Sequence, residues 1–213
     1  MKRLLMFATV AALVVAGARC PKAADDYYPL SVGSTWNTEG YVLYGTTAAA
    51  LDTMRTMATH SKVERKAQLV AGGDVFEMVS HATIHVRFPF DTTYTVTDTS
   101  YVQETASALL GYEALDDTAP DTMAVLPLSA GKTWRVSPNT TAEAVGQEDL
   151  TVRAGAFTKV WKIKMTTTDG SETIEAFMFF ANHVGHVRTY WEMEPTPGYR
   201  SVFNEELVSY TIK

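Results

Sequence analysis

The sequence predicts a mainly β fold, a single curved antiparallel sheet laid out as a half-barrel-like meander, with little helix apart from an N-terminal leader. Three observations predict it: long segments that alternate with period two, two-residue turn signals between them, and threonine used heavily in strand-forming company. The 213-residue chain is 46% hydrophobic and 20% charged with 13 Gly and 8 Pro, a globular composition rather than a disordered or collagen-like one.

Taken in order, Thr47–Ala58 carries Ala50, Met54 and Met57 at helical spacing, so its conformation stays open. Ser61–Val70 reads as a strand, because Val63, Ala67 and Leu69 lead into the Gly72-Gly73 turn. Val75–Phe88 places Phe76, Met78, Ser80, Ala82, Ile84, Val86 and Phe88 on one face and Glu77, Val79, His81, Thr83, His85 and Arg87 on the other, the pattern of a half-buried strand. Asp91–Thr97 is a poor helix and a good strand. Trp161, Ile163 and Met165 alternate with Lys162 and Lys164, and Asp169-Gly170 separates Phe157–Thr168 from Ser171–Phe180 as a hairpin. Val184-Gly185 leads into Val187–Met193, and Pro195–Gly198 leads into Tyr199–Ile212. Connections this short join antiparallel neighbours, since parallel strands need long crossovers.

At the N-terminus, Lys2 and Arg3 precede an uncharged run from Leu4 to Val15 and then Ala16-Gly17-Ala18. That run is too short to cross a bilayer core of ~30 Å as a helix. A basic start, a short apolar run and small residues make residues 1–19 a secretory signal peptide. A tether follows over 20–26, and one β domain over 27–213. Without the leader the chain has 15 basic and 24 acidic residues, net −9. Such a body has no basic excess for nucleic acid and is repelled by anionic headgroups. Membrane attachment therefore needs a lipid or a partner. The lone cysteine, Cys20, excludes a disulfide framework and a zinc site of several thiolates. Its place just past the apolar run resembles the lipidated cysteine of bacterial lipoproteins, with Arg19 where that family has Gly, Ala or Ser. Cleavage at Ala16-Gly17-Ala18 would instead leave Cys20 as a free thiol.

Pro29-Leu30-Ser31-Val32-Gly33-Ser34-Thr35-Trp36 returns 98 residues later as Pro127-Leu128-Ser129-Ala130-Gly131-Lys132-Thr133-Trp134. This PLxxGxTW repeat reads as a lead-in to a strand: Pro restricts φ, Gly permits the bend and Trp buries a large surface at the strand start. Pro29, Gly33, Trp36, Pro127, Gly131 and Trp134 are thus candidate structural anchors, either of two sub-domains or of two corners of one sheet. Each half is short for an independent β core, which favours one domain. Tyr28-Pro29-Leu30-x-x-Gly33-x-x-Trp36, shortly after an N-terminal cysteine, resembles the opening of a group of uncharacterised bacterial envelope proteins and lipoproteins. Val152-x-Ala154-Gly155-x-Phe157 followed by Val184-Gly185-x-Val187 resembles that group's C-terminal half. The resemblance implies a strongly curved antiparallel sheet, similar to the half-barrels of lipoprotein carriers, exported to the envelope. It implies no reaction.

Catalytic signatures are absent from the sequence: it has no G-x-S-x-G and no phosphate-binding loop. No cofactor is expected. His81 and His85, four apart on one strand face, lie roughly 13 Å apart at strand rise, too far to share a metal. His183 and His186 flank the Val184-Gly185 turn, and no metal site is expected. The acid pairs Asp116-Asp117, Glu148-Asp149 and Glu205-Glu206 read as solvated surface. Strand Ile174–Phe180 is apolar on both faces, with Phe177 and Phe179 opposite Met178 and Phe180, and Tyr190-Trp191 puts aromatics on both sides of its strand. Phe177, Phe179 and Trp191 are accordingly candidates for contact with an apolar ligand, or simply doubly covered core. Three functions follow. The first is a non-enzymatic, membrane-anchored structural or interaction module of the envelope. The second is a carrier of an apolar ligand or lipid in the sheet's concave face, which requires a cavity of a few hundred Å³. The third is a secreted hydrolase with an acid pair.

Overall fold

The computed structural model describes residues 26–46, 50–88, 90–170, 172–194 and 197–213. The predicted leader, Cys20 and the tether up to residue 25 lie outside them. The described residues form twelve strands and no helix: β1 (Thr35–Thr46), β2 (Asp52–Gln68), β3 (Asp74–Val86), β4 (Thr92–Glu104), β5 (Ala108–Tyr112), β6 (Asp121–Val125), β7 (Thr133–Ser137), β8 (Thr140–Val152), β9 (Gly155–Asp169), β10 (Glu172–Ala181), β11 (Gly185–Met193) and β12 (Tyr199–Thr211).

All twelve belong to one antiparallel sheet in the order β6-β5-β4-β3-β2-β1-β12-β11-β10-β9-β8-β7. Every neighbour in that order is consecutive in sequence except β1 and β12, which pair from Thr35↔Thr211 to Thr46↔Tyr199. Two six-stranded meanders are therefore joined along β1–β12. The sheet curls until its terminal strands meet, and the Trp134 indole N–H on β7 donates to the Thr122 carbonyl on β6 at 3.0 Å.

The turns follow the punctuation of the sequence. Gly72 and Gly73, at φ +91° and +108°, close β2 onto β3, where Gln68 faces Asp74; L side chains rarely adopt such values. Gly170, at φ +60°, closes β9 onto β10 with Asp169 facing Glu172.

The repeated segment opens each half, before β1 and before β7, and builds the same clamp twice. The Gly33 N–H donates to Val63 O at 2.8 Å, and the Val63 N–H returns to Ser34 O at 3.0 Å. In the second copy, Gly131 N–H donates to Ala144 O at 2.8 Å and Ala144 N–H returns to Lys132 O at 2.9 Å. Trp36 and Trp134, 5% and 8% exposed, each satisfy the indole N–H on a backbone carbonyl of another segment, Val184 at 2.6 Å and Thr122 at 3.0 Å.

Buried packing is divided between two main clusters. One joins Val102, Leu109 and Ala124 to Trp134, Ala142, Ala144, Trp161, Ile163 and Phe180, which is how β4–β6 close on β7–β10. The other joins Trp36, Val63, Val152, Val160, Phe179, Val187 and Leu207, and here the β8–β9 tip folds back until Ala154 N–H reaches Leu207 O at 2.9 Å.

Two local expectations change. The segment left open at Thr47–Ala58 is strand from Asp52 onward, its residues 47–49 lying outside the described ones. Residues Tyr44–Thr35 of β1 and Val86–Asp74 of β3 offer it partners on both sides, and ladder pairing outweighs the helical spacing of Met54 and Met57. Phe88 does not continue the apolar face of its strand, because β3 stops at Val86 and Phe88 is 70% exposed.

Trp36→Ala and Trp134→Ala should each lower stability by ~3–5 kcal/mol, measured as a fall in the chemical denaturation midpoint. Unchanged midpoints would remove both indoles from the anchor role.

Candidate functional site

The apolar candidates are placed first. Phe179 is 5% exposed and belongs to the second cluster, with Phe177 half-buried against the same cluster. Phe180 and Met178, on the opposite face of β10, belong to the first cluster. Both faces of β10 are therefore covered by the protein itself. Lys162 Nζ lies 4.6 Å from the Phe177 ring centre and 5.7 Å from that of Phe179, and the Arg188 guanidinium lies 5.9 Å from Phe179, so cations cap the outer side of these rings. Trp191 stacks on Phe203 at 5.6 Å and 18°. The space left inside the first cluster, among Tyr27, Leu109, Leu126, Ile163 and Phe180, amounts to about 10 Å³.

A second interior space is polar. It measures about 180 Å³ and is lined by Tyr28, Trp36, Thr38, Thr59, Ser61, His186 and Glu205. Thr38 Oγ1 donates to Glu205 Oε1 at 2.7 Å, and His186 Nε2 lies 2.7 Å from Thr189 Oγ1 with its ring tilted against Phe180 at 5.6 Å. Burial pushes His186 below the ordinary imidazole range, opposed by the charge of Glu205. Burial likewise raises the Tyr28 hydroxyl to about 12.

The opposite, solvent-facing side of β1–β3 carries a long groove. One part, about 360 Å³, is lined by Glu39, Tyr41, Thr56, His85, Arg153 and Glu206 among others, and another, about 340 Å³, by Asn37, Glu39, Ala58, His60, His81 and Thr83 among others. Shared residues Glu39, Ala58 and Thr83 make the two parts continuous. Arg153, on the β8–β9 turn, pairs with Glu39 and walls one side. Within it His60 stands directly opposite His81 across β2 and β3, a juxtaposition that sequence spacing does not reveal. His85 contacts Asp91 at 2.5 Å. His183 is an exposed turn residue at φ +61°. Among the described residues no three His, Cys, Asp or Glu side chains converge as a metal cage.

The predicted acid pairs separate. Glu205 faces the interior space while Glu206 accepts from Asn204 Nδ2 at 3.1 Å on the groove side. Asp149 accepts the Lys159 N–H at 3.1 Å, Glu148 lies 3.9 Å from Lys162, and Asp117 accepts the Ala119 N–H at 2.9 Å. Each of these carboxylates holds a turn, a strand or a neighbouring charge.

The remaining feature was legible only as a strand. β4 pairs with β3 from Thr92 to Val102 but with β5 only from Tyr101 to Glu104. Residues Thr92–Ser100 therefore present a free backbone edge, and Thr92–Thr99 are exposed on both faces. At the tip of the same hairpin Phe88 and Phe90 are 70% and 77% exposed, with Tyr94 and Val96 exposed beside them. Asp26, the first described residue, sits at the other end of the sheet, where its carbonyl accepts the His183 N–H at the β10–β11 turn.

His186 supplies a pH test. Its folded-state pKa is depressed, so stability is full above the ordinary imidazole value near 6.5 and is lost as pH falls below it, by up to ~1.4 kcal/mol per pH unit. Denaturation midpoints should fall between pH 6.5 and 5, and His186→Gln should flatten that fall.

No family model and no curated protein matches the chain. Two solved structures are similar to it: a candidate lipoprotein from Parabacteroides distasonis ATCC 8503, 14% identical with a TM-score of 0.40, and a candidate exported protein with YmcC-like fold from Bacteroides fragilis NCTC 9343, 15% identical with a TM-score of 0.41. Each match covers 88% of this chain and 99% of the other.

Proposed function

We propose that this is an exported protein of the bacterial cell envelope, anchored to a membrane through a lipid on Cys20, that acts without catalysis as an interaction module. It docks an envelope protein by accepting an extended segment onto the open edge of β4. The observation that carries this reading is the free edge Thr92–Ser100 beside the exposed Phe88, Phe90, Tyr94 and Val96. Strand addition draws affinity from backbone hydrogen bonds and selectivity from alternate side chains, and that edge offers both.

Orientation supports a protein partner. Asp26, the first described residue, sits beside the β10–β11 turn, whereas the β3–β4 turn lies at the far end of β3, a 13-residue strand of roughly 40 Å. An anchored molecule thus presents the hairpin away from its own bilayer. Carriage of an apolar ligand is the weaker alternative: the apolar interior keeps about 10 Å³ and the 180 Å³ space is polar, against ~300 Å³ or more for a ligand cavity. Hydrolysis by an acid pair is weaker still, because the candidate carboxylates are spent on structural contacts.

Two measurements test this. Cys20→Ser should move the protein from the membrane to the soluble fraction of envelope extracts, since two or more acyl chains are what give stable attachment; a serine variant as membrane-bound as wild type would refute the anchor. Tyr94→Lys with Val96→Lys, at exposed positions, should reduce in-membrane cross-linking to the partner more than tenfold with the thermal midpoint unchanged, because charge on an edge strand opposes pairing. Undiminished cross-linking would refute docking at β4.

A further inference from the structure

One row of side chains crosses five strands on the groove face: Ser209 on β12, Asn37 on β1, His60 on β2, His81 on β3 and Thr97 on β4 are direct neighbours in register. Asn37 Nδ2 donates to Ser209 Oγ at 2.9 Å, His60 Nδ1 meets Asn37 Oδ1 at 2.7 Å, and His81 Nδ1 meets Thr97 Oγ1 at 2.9 Å. The row's hydrogen bonds run outward from its centre and leave one gap, between the two imidazoles. Directly opposed residues on an antiparallel pair have Cβ atoms ~4.5–5.5 Å apart, so the two imidazoles spring from adjacent points of the groove face.

The outward bonds fix the chemistry of the inner nitrogens. Asn37 Oδ1 is only an acceptor, so His60 carries its proton on Nδ1 and keeps a lone pair on Nε2. Thr97 Oγ1 accepts from His81 in the same manner when that proton sits on Nδ1. Neither Nε2 has a protein hydrogen-bond partner among the described residues. Histidines that ligate a metal characteristically donate their other N–H to a protein acceptor; His60 does so through Asn37, and His81 does so through Thr97 in the Nδ1–H tautomer. Both rings are exposed and line the 340 Å³ part of the groove, which leaves room for water in the remaining coordination positions.

We propose that His60 and His81 form a two-imidazole site for a late first-row divalent cation, Cu²⁺ foremost, with solvent completing the coordination. Imidazole suits copper, nickel and zinc, and copper binds most tightly in the divalent series. Carboxylate-preferring cations such as Ca²⁺ and Mg²⁺ are excluded by the donor set. The two ligands stand on β2 and β3, and only Thr97, the partner of His81, belongs to the β4 edge.

The test is Cu²⁺ titration of the mature chain, followed by calorimetry and by electron paramagnetic resonance. One equivalent should bind with hyperfine structure from two nitrogens, and His60→Ala and His81→Ala should each weaken binding more than tenfold and leave a one-nitrogen spectrum. Asn37→Ala, which frees the His60 ring without removing a ligand, should weaken binding about tenfold. His85→Ala should change nothing. Circular dichroism would confirm that the surface variants remain folded. Undiminished affinity or an unchanged two-nitrogen spectrum after either histidine substitution, or loss of binding with His85→Ala, would overturn the proposal.

Discussion

Pairing of β1 with β12 is the constraint on which the architecture rests. All other ladders join strands that follow one another along the chain, and each closes through a local loop. β1 and β12 lie at opposite ends of the described chain, so their ladder carries the largest closure entropy in the fold, and it alone turns two six-stranded meanders into one sheet. The tolerances there are narrow. A Cβ at Gly40 would lie 3.0 Å from Asn204 O, 3.1 Å from Glu205 Cβ and 3.2 Å from Met57 Cγ, so a side chain there would make a neighbouring strand give by a few tenths of an ångström. Both spaces on either side of the sheet depend on this ladder: Thr38 and Glu205 meet across it in the interior, and Glu39 and Glu206 flank it in the groove.

The repeat shows how the sequence prepares that closure. Each copy leads into the first strand of a half, and in each the glycine and the residue after it clasp one residue of that half's second strand, Val63 on β2 or Ala144 on β8, through a reciprocal pair of backbone bonds. Leaving each Trp at the start of its strand with the indole turned to a distant carbonyl ties a half to its neighbour: Trp36 reaches the β10–β11 turn and Trp134 reaches β6. The seam between β6 and β7 is the counterpart of the β1–β12 ladder, occupied by an indole bond and the first core cluster instead of paired backbone.

Local features of this kind were legible. The Gly72-Gly73 and Asp169-Gly170 turns, the alternation along β3 and β9 and the double-sided burial of β10 are written within a few residues of one another, so period and turn chemistry suffice to read them. What depends on register was not. With the Gly72-Gly73 turn alone, Ser61 would face His81; the irregularity between Val63 and Arg65 shifts the pairing by one residue, and His60 faces His81 instead. A one-residue slip moves every side chain to the other face, and no local signal marks Glu64 as the extra residue. The start of β2 stayed open in the sequence for a related reason: its methionines satisfy a helical period, and only neighbouring strands, absent from any local window, select the extended form. The free edge of β4 is likewise invisible locally, because it arises from β5 stopping short.

Edges separate accident from design in a sheet of this size. The terminal strands β6 and β7 have five residues each and are stitched to one another, which is how a sheet blunts the edges that would otherwise recruit other chains. β4 is treated differently. Its unpaired stretch Thr92–Ser100 holds neither Lys, Arg nor Pro, and its one charge is Asp98. A stretch of that length, rich in threonine and bearing the exposed Tyr94 and Val96, has the composition of a strand awaiting a neighbour and lacks the gatekeepers that natural edges use. Lateral pairing between free molecules would be the hazard. Under the anchoring proposed for Cys20, confinement at the Asp26 end of the sheet, opposite the β3–β4 turn, would restrict the orientations in which two copies can meet edge to edge while leaving the edge accessible to an extended segment.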